Sequence, residues 1–210
     1  MSKRTRNLEK TRAHIMEAAF IQIYRNGFQG VSVADIVEKT NVTKGAFFHH
    51  FPTKQALGYA IADETLREMV LDRWIRPLAA YRNPVRGILK QLRKIIEATT
   101  EETLVFGCPL NNLIQEMSAV DPIFGEKLRS VMGMWVDEVE KHLRKGQSGG
   151  YLMQTVNPRQ LAEFVVMVHE GVFGMAKSLK DKKVMWSLYD SLKEHLSYVS
   201  GKSGDRKKSG

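Results

Sequence analysis

The 210-residue chain has a single cysteine, Cys108, so no disulfide can form within it, and the composition suits a reducing compartment. No stretch approaches the roughly 20 apolar residues that a bilayer span needs. The opening MSKRTRNLEK runs from basic residues into more charge, without the apolar core of a signal peptide. These absences point to a cytoplasmic protein with no membrane contact. No segment alternates apolar and polar residues for long enough to read as a strand. Catalytic constellations are missing too. There is no phosphate-binding glycine loop, no HExxH and no paired-cysteine metal pattern, so no cofactor, metal site or enzymatic activity is expected. His49 and His50 are adjacent, about 100° apart around a helix, and make poor joint metal ligands. Glu101-Glu102 reads as a solvated helix end.

What is present is helical periodicity from end to end, at an ordinary 43% apolar and 26% charged composition. An entry helix runs from near Leu8 to Gly27-Phe28. Leu57, Ile61, Met69, Val70 and Trp74 recur at helical spacing until Pro77, giving a long connector. Ile88 to Ile96 follow Asn83-Pro84, and Leu110 to Met117 follow Pro109. Phe124 to Leu143 follow Asp121-Pro122 and end at Gly146. Leu161 to Phe173 follow the strong start Asn157-Pro158, and Val184 to Val199 form a last helix. The expected fold is all-α, with a basic N-terminal segment 1–54, a larger helical domain 55–200, and a polar, low-complexity, disordered tail 201–210.

The stretch 31–54, VSVADIVEKTNVTKGAFFHHFPTK, is the one place where spacing alone points to a function. Ser32 is a good N-cap, Asp35 completes a capping box, and Val31 and Ile36 stand at the staple positions. Asn41 can take the left-handed conformation that a sharp helix exit needs. Thr43 is the next N-cap, with Val42 and Phe47 as its staple. Two capped helices joined by a turn of about four residues describe a helix-turn-helix. Lys44 and Lys54 fall at first helical positions, where a cation is locally unfavourable unless an external anion meets the helix end. Gly45 and Ala46 keep the second helix low enough to approach base edges in a major groove.

Charge agrees with that placement. Residues 1–54 carry net +5, the tail from Lys202 carries +3, and the middle of the chain is close to neutral. Lys3, Arg4 and Arg6 form a short basic arm ahead of the entry helix, suited to a minor groove or to phosphates, or else to solubility alone.

Residues 8–58 resemble the DNA-binding domain of the TetR (tetracycline-repressor) family of bacterial transcriptional regulators. The resemblance rests on Gly27-Phe28, Ser32, Asp35 and Ile36, Val42-Thr43-Lys44-Gly45, Phe47-Phe48-His49-His50-Phe51, Lys54 and Leu57. It implies a three-helix DNA-binding domain in which Thr43, Lys44, Gly45, Ala46 and His49 face the groove. Ser32, His50 and Lys54 would contact or border phosphates. Phe48 stands where the family usually has a tyrosine, which removes a hydroxyl commonly given to phosphate. The resemblance also implies dimerisation through the last two helices.

The C-terminal part offers a candidate small-molecule pocket in Met69, Trp74, Phe106, Cys108, Asn112, Gln115, Trp135, His169 and Phe173, apolar bulk with a few polar tips. The same residues also read as ordinary core, His169 as a hydrogen-bonded core histidine and Cys108 as inert packing or a sensor. Gly171 and Gly174 sit mid-helix, where close passage of another helix would justify them, within the chain or across a dimer. Leu161, Val168, Gly171, Gly174, Leu188, Leu192 and Leu196 are the candidate dimer contacts. The resulting expectation is a homodimeric repressor, bound to a near-palindromic double-stranded DNA operator and released by a small-molecule effector. Two competitors stay open: a DNA-binding regulator controlled by a protein partner, and a helical enzyme or carrier.

Overall fold

The computed structural model describes residues 3–201, with side chains from Thr5 onward; the predicted tail beyond Gly201 lies outside them. The described residues form helices α1 (Lys3–Asn26), α2 (Val33–Thr40), α3 (Lys44–His50), α4 (54–79), α5 (Pro84–Ala98) and α6 (Glu101–Leu104). They continue as α7 (Pro109–Met117), α8 (Pro122–Ser148), α9 (Pro158–Leu179) and α10 (Lys183–Val199). Extended pairing among the described residues is limited to one isolated antiparallel bridge, Leu152 with Ser200. The all-α expectation holds.

Two boundaries differ from the periodicity. α1 begins at Lys3, so Lys3, Arg4 and Arg6 belong to its first turns and are not an extended arm. Lys, Arg and Glu are good helix formers, and with no Gly or Pro among them nothing stops the helix from extending past its last apolar contact. Arg6 is exposed; the side chain of Arg4 lies outside the described residues. α4 does not stop at Pro77 but runs on to Ala79. It is α-helical over Lys54–Ala60, Arg67–Val70 and Arg76–Ala79, and π-helical over Ile61–Leu66 and Leu71–Ile75. A proline lacks the N–H that an α-helix would give to the carbonyl four residues back, and the widened turn just before Pro77 relaxes that demand.

The chain divides into two compact units. The first is Met1–Glu68 with Pro109–Val131; the second is Met69–Cys108 with Met132–Gly210. The unit holding the helix-turn-helix is therefore larger than the segment 1–54, because α1, α2 and α3 bury too little apolar surface alone. Phe124 completes its core, edge-on to Phe28 at 5.1 Å and to Tyr59 at 5.6 Å between ring centroids. Gly58 makes room for this, since a Cβ there would stand 2.6 Å from Phe28 Cε2 and 2.8 Å from Phe124 Cε1.

Polar ties hold the same segments. The Glu116 carboxylate accepts from the backbone N–H groups of Phe28 and Gln29, both at 2.8 Å, where Gly27 turns the chain out of α1 at φ 79°. Tyr59 donates its hydroxyl to Asp121 Oδ2 at 2.7 Å. Asp121 also accepts from the N–H groups of Ile123 and Phe124 at the start of α8, both at 3.0 Å. Those bonds, Phe124's first, hold its carboxyl below the usual carboxylate range.

In the second unit α9 packs along α10, and α5 packs on α10 and on the last turns of α4. Arg159 clasps Asp137 at 2.6 Å and Glu163 at 2.7 Å, linking α8 to α9. Gly146 lets Pro84 lie against α8; a Cβ at 146 would meet Pro84 Cγ at 2.2 Å.

Candidate nucleic-acid interface and buried aromatic site

The helix-turn-helix is built by its caps. Ser32 Oγ accepts from Asp35 N at 3.2 Å while Asp35 Oδ2 accepts from Ser32 N at 2.7 Å, the reciprocal pair of a capping box. Asn41 takes φ 53°, ψ 23°, the left-handed exit from α2. Thr43 Oγ1 accepts from Ala46 N at 3.1 Å and starts α3. Phe47 is fully buried and anchors α3, its ring 6.1 Å from that of Phe51. On the opposite side Thr43, Lys44, Gly45 and His49 are exposed, and Ala46 and His50 are half-buried. Nothing within 4 Å of a Cβ placed on Gly45 obstructs that surface except Thr43 Oγ1 at 3.8 Å. Burial lowers the His50 imidazole, helped by the charges of His49 and Arg12, so the ring is neutral at pH 7 unless an anion meets it. Phe48 is exposed, edge-on to Phe47.

Lys54 is the correction in this region. Its Nζ donates to the carbonyls of Phe28 and Val31, both at 2.9 Å, and stands 4.6 Å from the Phe28 ring centroid. The ammonium is turned inward as a link between α4 and the turn after α1, instead of outward to a phosphate. Lys54→Met should therefore leave two carbonyls without their donor and lower stability by about 1–3 kcal/mol. Thermal unfolding reads this; unchanged stability with a smaller salt dependence of DNA binding would return Lys54 to the phosphates.

The second candidate site lies in the second unit. Trp74 on α4, Trp135 on α8, and His169 and Phe173 on α9 form one aromatic cluster. The His169 ring is 5.1 Å from Trp74, 5.0 Å from Trp135 and 4.8 Å from Phe173. Beside it Cys108 Sγ donates to Glu170 Oε1 at 3.3 Å. Burial drives His169 down to about 3, and burial raises Glu170 to about 7, partly offset by the Cys108 bond. Trp135 Nε1, His169 Nδ1 and Glu170 Oε2 are buried without a hydrogen-bond partner.

Of the residues singled out in the sequence, the structure brings together Trp74, Trp135, His169 and Phe173, with Cys108 adjoining. Phe106 is half-buried, its carbonyl accepting from Lys177 Nζ at 3.5 Å, and Met69 is half-buried on α4. Asn112 and Gln115 belong to the first unit, and Gln115 is exposed beside Asn111. Sequence reasoning misses Glu170. It is the one carboxylate in the run Phe164–Ala176, which is otherwise apolar but for His169, and an acid in such a run is a signal that a partner is needed.

The candidate dimer contacts also divide. Leu161, Leu192 and Leu196 are buried inside the chain and belong to its own core, where α9 meets α10. Helical period marks a buried face without saying which chain buries it. Val168 and Leu188 are half-buried, and Gly171 and Gly174 are exposed, with nothing within 4 Å of a Cβ built on either.

A tight pair of capped helices presenting exposed Thr43, Lys44 and Gly45, in an all-helical chain, defines a helix-turn-helix protein of the DNA-binding class. The comparisons with known proteins give the family. Residues 15–61 match the model of bacterial regulatory proteins, tetR family, and residues 84–192 match the tetracyclin repressor-like C-terminal domain. The chain belongs to the tetR family and is a DNA-binding transcriptional regulator.

Among its relatives is an uncharacterized HTH-type transcriptional regulator in the lacX 3′ region of Lactococcus lactis, 26% identical over 93% of this chain and 98% of that protein. The HTH-type transcriptional repressor DhaR of Mycobacterium sp. (strain GP1) is 28% identical over 76% of this chain and 79% of its own length. The crystal structure of a TetR transcriptional regulator from Chloroflexus aurantiacus superposes with a TM-score of 0.82 at 25% identity, covering 93% of this chain and 98% of that one. Regulators of this family bind DNA operators, act as dimers and are generally not enzymes. No helix among the described residues is long and apolar enough to cross a membrane.

Proposed function

We propose that the protein is a cytoplasmic repressor that binds a near-palindromic operator as a homodimer and leaves it when a small molecule binds the C-terminal domain. α3 enters the major groove with Thr43, Lys44, Gly45, Ala46 and His49, while Ser32 and His50 border the phosphates. The observation that carries this is the exposed, unobstructed start of α3 on a core-anchored helix-turn-helix. Two such helices related by a two-fold axis read half-sites spaced by about one helical turn or a multiple of it.

The Trp74, Trp135, His169 and Phe173 cluster, with three buried polar atoms lacking partners, supports an effector site in the second unit. α4 carries Trp74 and passes from one unit into the other through two π-helical stretches, so an effector that favours one path of α4 biases the DNA-binding unit. A coupling of about 1–3 kcal/mol changes DNA affinity by roughly 5–150-fold. Repression, as opposed to activation, is the reading that relatives such as DhaR, a repressor by name, support.

Lys44→Ala tests the interface. If Lys44 meets phosphate, binding to operator and random DNA falls together, and the slope of log affinity against log salt becomes shallower by about 0.9 for each phosphate left without its cation. If it reads a guanine, the loss is about 1–3 kcal/mol and confined to one base position. Unchanged affinity for both DNAs removes α3's first residue from the interface.

A further inference from the structure

Cys108 and Glu170 are 62 residues apart in sequence, and the fold sets them beside His169. The thiol sulfur, an imidazole nitrogen and a carboxylate oxygen all lie within 4.8 Å of one another. Two ligands on one tetrahedral zinc are about 3.5 Å apart, from bonds of about 2.3 Å to sulfur and 2.0 Å to oxygen. The Cys108 to Glu170 edge, at 3.3 Å, is already near that length. The widest edge needs roughly 1 Å of side-chain adjustment to reach it.

The surroundings favour an occupant. Cys108 and His169 are each 6% exposed. His169 Nδ1 and Glu170 Oε2 are buried without hydrogen-bond partners, a costly arrangement unless something else satisfies them.

We propose that Cys108, His169 and Glu170 bind a thiophilic divalent cation of the zinc and cobalt type. One sulfur, one nitrogen and one oxygen donor form a borderline-soft set that does not suit magnesium or calcium. A thiolate and a carboxylate together cancel the double charge, so the complex is neutral in an interior where net charge is expensive. Three protein ligands leave a fourth position for water or for an oxygen of a bound molecule, the pattern of an exchangeable site and not of a closed structural one. Trp135 Nε1–H, also without a partner and on a ring 5.0 Å from His169, is a donor suited to such an oxygen.

The test is a titration of the reduced full-length protein with cobalt(II). One equivalent per chain should produce a thiolate-to-cobalt charge-transfer band and the intense visible bands of a four-coordinate ion, and zinc should bleach both. Cys108→Ser should lose the charge-transfer band without a change in its metal-free melting temperature. His169→Gln and Glu170→Gln should each weaken binding by about tenfold or more. Absence of these bands would overturn the assignment. So would their survival in Cys108→Ser, or a weak six-coordinate spectrum that disappears when His49 and His50 are replaced. Ion binding is read without DNA, so it and operator release can fail independently.

Discussion

Met167→Asp combined with Met175→Asp should turn the protein into a folded monomer and lower its operator affinity by about 10²–10⁴-fold, the factor forfeited when two linked sites become one. Met167 is 61% exposed and Met175 is 48% exposed on α9. They share one stripe of the helix with Phe164, Val168, Gly171 and Gly174. The two glycines cost about 1 kcal/mol each relative to alanine in a helix. Nothing among the described residues offsets that cost, because a Cβ on either would meet open space. A helix of a second copy passing closely would offset it. The stripe continues onto α10 through His195, whose ring lies 4.8 Å from that of Phe164.

Carboxylates at the centre of such a contact would be buried unpaired, while in the monomer they remain in water. Sedimentation and operator binding of the double variant check this together. A variant that still sediments as a dimer would move the interface elsewhere. Leu192→Asp is the wrong probe despite its helical spacing, because Leu192 is only 3% exposed within a single chain and the substitution would unfold that chain first.

Phe124→Ala should destabilise the DNA-binding unit by about 3–5 kcal/mol, against a typical total of roughly 5–15 kcal/mol for a domain. Phe124 is fully buried and packs edge-on against Phe28 and Tyr59 over the gap left by Gly58. Truncation removes both ring–ring interactions and leaves a cavity that Gly58 cannot fill. Urea unfolding should show the loss, and operator binding should fall at temperatures where the unaltered protein still binds. A change below about 1 kcal/mol would mean that the segment around Phe124 does not complete this core.

The helix-turn-helix was legible in the sequence because the interactions that build it are local. Ser32 to Asp35, Asn41, and Thr43 to Ala46 each span four residues or fewer, and the observed caps stand where the spacing puts them. Longer helices were legible from period and proline starts: α5, α7, α8 and α9 begin at Pro84, Pro109, Pro122 and Pro158. The start of α1 was not, because a helix that extends past its apolar contacts leaves no apolar mark. The direction of the Lys54 side chain was hidden for a related reason. Its position at the head of a helix is visible in the sequence, but the carbonyls of Phe28 and Val31 that take its ammonium come from another part of the chain.

By itself the sequence determined the helical class, the family and the surface of α3, since caps, periodicity and charge all act over a few residues. Only the tertiary structure decided which apolar stripes the chain buries for itself, as at Leu161, Leu192 and Leu196, and which it leaves exposed, as at Met167 and Met175. It also decided that Phe124 and Glu116 belong to the DNA-binding unit, and that Cys108, His169 and Glu170 share one buried site. Period and propensity repeat within one helix, whereas partners across helices depend on how side chains from distant segments fill a common space.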